Sequence, residues 1–262
     1  HIPRTKIPIV LVDQTIEYQV YQHFADTFNI LPLKPFLYLD VFKIKFWETR
    51  FWRKATMVVA VSEADKEKML SLVSQLKVAI VPNGVGEDLM NLWKKEKSVP
   101  DKPIIFFQGN FSWLQNTEAA RILAKEIFPF IKREIPNSIC FIVGQGAKGK
   151  IGDLAGNGIE IFDLETSDIE GVIKAYHEAT VFVSPLAGPG GTRLKILGAM
   201  AAGLPVVMTD VGLVGEFLVD GLDGLVIPVA DQAVCASIIS DIMGDAEKRE
   251  EFKDGGLKLM EK

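Results

Sequence analysis

Between Gly188 and Lys195 the chain places three glycines, a hydroxyl and two cations in eight residues: Gly188, Gly190, Gly191, Thr192, Arg193 and Lys195. A glycine-rich turn that feeds a helix presents free backbone N–H groups and the positive end of the helix dipole, and both attract phosphate. Thr192 suits an N-cap, and Arg193 to Ala202 reads as a helix with Leu194, Leu197 and Met200 at helical spacing. Arg193 and Lys195 in the first turn oppose the dipole by a few tenths to about 1 kcal/mol each. An anion seated between them would offset that cost. The chemistry indicated is capture of a phosphate or diphosphate; the competing reading is a plain α/β loop that binds nothing.

Other polar residues form weaker candidates. Asp13 and Glu17 follow a strand. They read either as ligand groups at the carboxyl end of a parallel sheet or as an N-cap and a first-turn acid of the next helix. His23 reads as a packed or exposed helix residue and His177 as a surface one; neither has the acidic or histidine companions of a metal site. Trp113 reads as a hydrophobic plug or a stacking platform, and Asp163 with Glu165, after a strand end, as a solvated loop or as groups that approach a ligand. Cys140 and Cys235 lack metal-ligand spacing and fit a reducing compartment. A net charge of −5 leaves no nucleic-acid footprint. No run reaches the roughly 18 apolar residues of a membrane span, and no signal peptide is evident.

The elements that must position these groups alternate strand and helix. Strands are expected at Ile7–Val12, Met57–Val61 and Val78–Val81, with helices from about Asp13 to Thr27, Leu37 to Lys54 and Ser62 to Ser74, and a loop at Asn29–Pro35. Ser62-x-x-Asp65 is a helix-start signal. Val85–Lys102 is polar and lysine-rich and reads as a linker. Six further strands follow, at Ile104–Gln108, Ile139–Val143, Ile159–Phe162, Val181–Val183, Pro205–Met208 and Gly224–Pro228. The helices between them are expected at about Asn116–Glu134, Lys148–Gly156, Asp168–Ala179, Arg193–Ala202 and Val214–Leu218. Two more, Asp231–Met243 and Asp245–Met260, close the chain. The expected fold class is α/β: two Rossmann-like domains, the first incomplete with three strands, the second a six-stranded parallel doubly wound sheet.

The run from Pro185 resembles the donor-site segment of retaining GT-B glycosyltransferases of family four (glycosyl transferases group 1). One branch carries a proline and then G-x-G-T-R-x-K-x-x-E-A-M-A-x-G-x-P-V-V. This chain supplies Pro185, Gly191, Thr192, Arg193, Lys195, Ala199, Met200, Ala201, Gly203, Pro205, Val206 and Val207. Gly198 stands where the pattern has glutamate, and Gly190 where the wider family has an earlier one. AVSEAD around Ser62, VPNGV at Val81–Val85, FFQGNFSWLQNTEAA at Phe106–Ala120 and FIVGQG around Gly144 are similar to further family segments in the same order.

The resemblance implies a GT-B fold, with an acceptor-side domain in residues 1–90 and a nucleotide-sugar domain in 91–262. It implies transfer of a sugar from a nucleotide-sugar to a glycan or lipid-linked acceptor with retention of configuration. No metal or other cofactor is implied, and no catalytic residue is assigned. The donor-binding positions are Gly109, Asn110, Gly188, Gly190, Gly191, Thr192, Arg193, Lys195 and Gly198. Asn110, Ser112, Trp113 and Gln115 occupy the segment where the family has cations, which shifts phosphate neutralisation to Arg193 and Lys195. A non-catalytic nucleotide-sugar-binding or regulatory protein and a GT-B epimerase are the rival functions.

Three expectations follow for the chain as a whole. With only three strands in the first section and a start at HIPRTK, strands upstream are expected to be missing and this chain to be inactive alone. The helix Leu39–Lys54 mixes aromatics with cations. It reads either as a core helix with flanking charges or as a peripheral contact with an anionic membrane, which would place a cytoplasmic protein at the inner membrane face. Gly198 costs its helix about 1 kcal/mol. Glutamate there is expected to raise both melting temperature and donor affinity.

Overall fold

The computed structural model describes residues 7–94, 102–165, 167–186, 194–209, 224–227 and 231–261. These divide into two compact units, one ending at Asn83 and the other beginning at Gly84.

The first unit has strands β1 (Val10–Asp13), β2 (Met57–Ala60) and β3 (Val78–Ile80), all parallel and in the order β1-β2-β3. Helices α1 (Glu17–Thr27), α2 (Lys34–Trp52) and α3 (Glu63–Leu72) connect them. Sequential order with right-handed crossovers puts all three helices on one face. Ile16, Tyr18, Val41, Trp52 and Met69 accordingly pack on Val58 and Ala60. On the other face Val10, Val12 and Met57 remain exposed. The expected loop at Asn29–Pro35 is shorter than its prolines suggested. Leu31–Leu33 is a 3-10 turn, and Pro35 sits in the first turn of α2, where its missing N–H costs nothing. Ser62 caps α3 as expected, its Oγ accepting from the Asp65 N–H at 3.0 Å.

The start of α1 is built differently from either expectation. Its N-cap, Ile16, has no capping side chain. Glu48 of α2 serves instead: Oε1 accepts the Glu17 N–H at 2.6 Å and Oε2 the Tyr18 N–H at 3.2 Å. Asp13 accepts from Trp52 Nε1 at 2.7 Å, so it ties the strand to α2 and does not cap α1. Burial raises the Glu48 carboxyl from its ordinary 4.5 to about 7, against the downward pull of its two N–H bonds, with Asp13 and Glu17 pushing the same way as burial. Burial also raises Asp13 and Asp65. Between these two Glu48 values the folded chain keeps a proton that the unfolded chain has lost. Stability is therefore present in full below about pH 4.5 and is lost as pH rises through about 7. Discounted for partial exposure, the loss should be about 1–2 kcal/mol. Glu48→Gln removes the charge and keeps one acceptor, so its urea midpoint should change little between about pH 5 and about pH 8. A variant that follows the wild-type slope would show that Glu48 is not the titrating group.

The second unit holds a parallel six-stranded sheet in the order β6-β5-β4-β7-β8-β9, from β4 (Ile104–Gln108), β5 (Ile139–Val143), β6 (Ile159–Phe162), β7 (Val181–Ser184), β8 (Val206–Thr209) and β9 (Leu225–Ile227). Strands β7 and β8 are buried along their whole length, as β4 is over its first four residues. Their unbroken apolar runs reflect a sheet covered on both faces. The helices are α4 (Glu87–Met90), α5 (Leu114–Ile122), α6 (Phe128–Glu134), α7 (Ala147–Ile151), α8 (Ile169–Glu178), α9 (Leu194–Ala201), α10 (Gln232–Gly244) and α11 (Ala246–Met260). The expected helix Asn116–Glu134 is interrupted by a π turn at Leu123–Ile127, where the Phe128 N–H donates to Leu123 O. Pro129 follows at once and has no N–H for the regular ladder.

The expected linker Val85–Lys102 contains two short helical pieces in its described part. Alongside α4 it forms a 3-10 turn at Leu92–Lys94, with Leu92 only 2% exposed. Trp93 packs over Gly203, whose φ of +74° and closeness to Trp93 Cβ both demand glycine. Glu87 and Asp88 before Leu89, and the lysines that follow Trp93, hid this packing in the composition. The expected helix Val214–Leu218 lies outside the described residues.

Candidate functional site

The strand order identifies where a ligand belongs. β4 and β7 are neighbours, and the chain winds outward from them in opposite directions. Parallel sheets of this kind bind ligands at such a switch point, outside the carboxyl ends of the strands. The turn after β4 is Gly109-Asn110 and the turn after β5 is Gly144-Gln145-Gly146. The two turns touch. Gly109 N–H donates to Val143 O at 3.0 Å and Phe111 N–H to Gln145 O at 2.9 Å. Gly144 has φ of +142°, and a Cβ there would lie 2.0 Å from Gly109 O, so only glycine permits the approach.

Polar side chains converge on these turns. Asn110 Nδ2 donates to Gln145 Oε1 at 2.9 Å, and Asn110 Oδ1 accepts the Ser112 N–H at 2.9 Å. Asn116 Nδ2 donates to Asn110 O at 2.7 Å. Lys195 Nζ, from the first turn of α9, donates to Asn116 Oδ1 and lies 5.0 Å above the Phe107 ring. Behind it Tyr176 Oη donates to Gln108 Oε1 at 2.8 Å. Full burial raises the Tyr176 phenol, which keeps it a neutral donor. Helix α5 starts at Trp113 with no side-chain cap, so its dipole opens onto this cluster.

Of the sequence-expected donor positions, Gly109, Asn110 and Lys195 are brought together here. Gly188, Gly190, Gly191, Thr192 and Arg193 lie outside the described residues. Gly198 is buried one turn further along α9, facing Leu89 and Tyr176. Trp113 is 46% exposed, so it is not a plug; as N-cap of α5 it stands clear of the core. Asp163 is not merely solvated. Its carboxylate accepts the Gly146 and Lys148 N–H groups at 2.9 and 3.0 Å and so caps α7. Asp163→Ala should cost about 1 kcal/mol. Amide exchange at Gly146 and Lys148 should accelerate with it, and unchanged protection there would refute the cap. His177 is half-buried on α8. Asn116, Gln145, Gln108 and Tyr176 were not among the expected site residues. Gln108, Asn116 and Gln145 lay within the family-like segments of the sequence without being singled out, and Tyr176 left no trace there.

Among the described residues no group of His, Cys, Asp and Glu could hold a metal ion. Burial raises the thiols of Cys140 and Cys235, which makes both unreactive packing residues. Among the described residues no helix is long and apolar enough to cross a membrane.

Residues 102–245 match the family Glycosyl transferases group 1. The chain belongs to that family. It is 25% identical over 205 residues to a phosphatidyl-myo-inositol mannosyltransferase of Mycobacterium leprae, covering 77% of this chain and 54% of the relative. The chain thus spans about half the length of that relative. Among solved structures, the glycosyltransferase WaaG, involved in lipopolysaccharide biosynthesis, superposes with a TM-score of 0.68 at 14% identity, over 98% of this chain and 72% of its own. Anabaena HepE, in complex with UDP and glucose, gives 0.67 at 15% identity over 97% and 66%. These likenesses establish the GT-B α/β fold.

Proposed function

We propose that the protein transfers a sugar from a nucleotide-sugar to a glycan or lipid-linked acceptor with retention of configuration, and that the second unit holds the donor. The observation that carries this reading is the polar cluster at the β4–β7 switch point, where Lys195 and the uncapped start of α5 meet. A cation and a helix N-terminus together suit a diphosphate without a metal. Gly109, Asn110 and Lys195 are assigned to it, and on sequence alone Gly188, Gly190, Gly191, Thr192 and Arg193; Gly198 is assigned no contact with the donor. The solved complex of HepE with UDP and glucose supports a nucleotide-sugar donor. The mycobacterial relative, named for mannosyl transfer to phosphatidyl-myo-inositol, supports a lipid-linked acceptor.

We place the acceptor-side domain before Gly84, and the exposure of Val10, Val12 and Met57 on one face of its three-stranded sheet supports its being part of a larger domain. This chain alone should therefore bind donor and turn over no acceptor. Calorimetric titration with uridine and guanosine diphosphates and their hexose conjugates, with and without EDTA, tests the donor site. Saturable binding that EDTA leaves intact is expected; no binding of any of them would end the reading. Donor binding without labelled product from a longer protein would favour a regulatory role instead.

A further inference from the structure

We propose that Asn116 is a positioning residue: it fixes the Lys195 ammonium beside the first turn of α5, where the diphosphate site requires it. The proposal rests on the donor reading and adds a residue to which that reading gives no role. The Asn116 side chain joins two segments far apart in the chain. Its Nδ2 donates to Asn110 O at 2.7 Å, and its Oδ1 accepts from Lys195 Nζ. A carbonyl only accepts and an ammonium only donates, so a single orientation of the amide satisfies both. Asn110 O thereby settles which end of the amide Lys195 meets. Gly109 makes room for this arrangement, since a Cβ there would lie 2.8 Å from Asn116 Cγ.

Lysine has a flexible four-carbon stem, and a charge that is to meet a phosphate binds better when one rotamer is held beforehand. The Phe107 ring, 5.0 Å from the ammonium, supports it from one side, and Asn116 gives it a direction. The residue type matters as well. A brace between α5 and α9 would be stronger with a carboxylate at this position, but the carboxylate would cancel the lysine charge. A neutral amide orients the cation and leaves its field to act on an anion. The turn itself does not depend on Asn116. Thr117 Oγ1 donates to Phe111 O at 3.1 Å, the Phe111 N–H to Gln145 O at 2.9 Å and the Gly109 N–H to Val143 O at 3.0 Å. Asn116→Ala is therefore expected to fold.

The test is a double-mutant cycle on the 262-residue chain, read by calorimetric titration with uridine and guanosine diphosphates and with the bare nucleosides. Asn116→Ala should weaken diphosphate binding about threefold to tenfold and leave nucleoside binding as in wild type. On a Lys195→Met background the same substitution should have no further effect, because a residue that acts through the ammonium then has nothing to hold. Asn116→Asp has nearly the same shape. It should weaken diphosphate binding as much as Lys195→Met does, since its carboxylate neutralises the ammonium, and it decides the matter if the alanine variant misfolds. Losses that multiply in the double variant, equal loss of nucleoside and diphosphate, or an aspartate variant that binds as wild type does would each overturn the proposal. In those cases a weakened Lys195→Met would still leave the donor reading standing. Diphosphate binding that Lys195→Met leaves unchanged would remove Lys195 from the site and this proposal with it, whereas no binding by the wild-type chain would end the donor reading itself.

Discussion

Gly198→Glu is expected to lower the melting temperature by on the order of 10 °C, the opposite of what helix propensity alone suggests. Gly198 is buried, and a Cβ built there lies 3.2 Å from both Leu89 Cδ1 and Tyr176 Oη. Leu89 has a flexible end that can yield a little. Tyr176 is 1% exposed and committed to Gln108. Glutamate adds a carboxylate beyond that Cβ, in a place where it must stay buried or break the Tyr176–Gln108 bond. The cost is about 2–4 kcal/mol, which outweighs the gain of less than about 1 kcal/mol from replacing a helical glycine. Gly198→Ala meets only the first contact and should stay within about 1 kcal/mol of wild type. Nucleotide-sugar affinity should not rise in the glutamate variant, because the new side chain starts toward Leu89 and Tyr176. A glutamate variant that melts at or above wild type would show that the pocket around Gly198 opens readily. The donor role expected from the sequence would then return.

Lys195→Met is expected to weaken nucleoside diphosphate binding by roughly tenfold to a hundredfold, a charge-assisted contact of about 1.5–3 kcal/mol. Methionine is the better substitution because it keeps an apolar stem over the Phe107 ring, which the Lys195 ammonium now covers. The ammonium also anchors α9 to the first turn of α5 through Asn116. A general loosening of the site would weaken the bare nucleoside as much as the diphosphate. Titration with both separates the outcomes, since a phosphate contact leaves nucleoside affinity unchanged. Equal loss for both ligands would remove Lys195 from the proposed diphosphate site.

Alternation of strand and helix, the parallel character of both sheets and the six strands of the second unit were all legible from the chain alone. The reason is that hydrophobic period, glycine and proline positions, and caps such as Ser62 act within a few residues of themselves. What the tertiary structure decided depends on residues far apart. The order β6-β5-β4-β7-β8-β9 brings Lys195 to Asn116, 79 positions away. Glu48 caps a helix that begins 31 residues before it, so its acid reads in sequence as one more charge on a mixed helix. The aromatics of α2 suggest a core until the sheet proves to be covered by its other side. Gly198 reads as a missing carboxylate until Leu89, from a segment that looked like linker, and Tyr176, from α8, occupy the space beside it. Local free energies write the elements into the sequence, whereas the space between elements is set only once distant side chains have packed against each other.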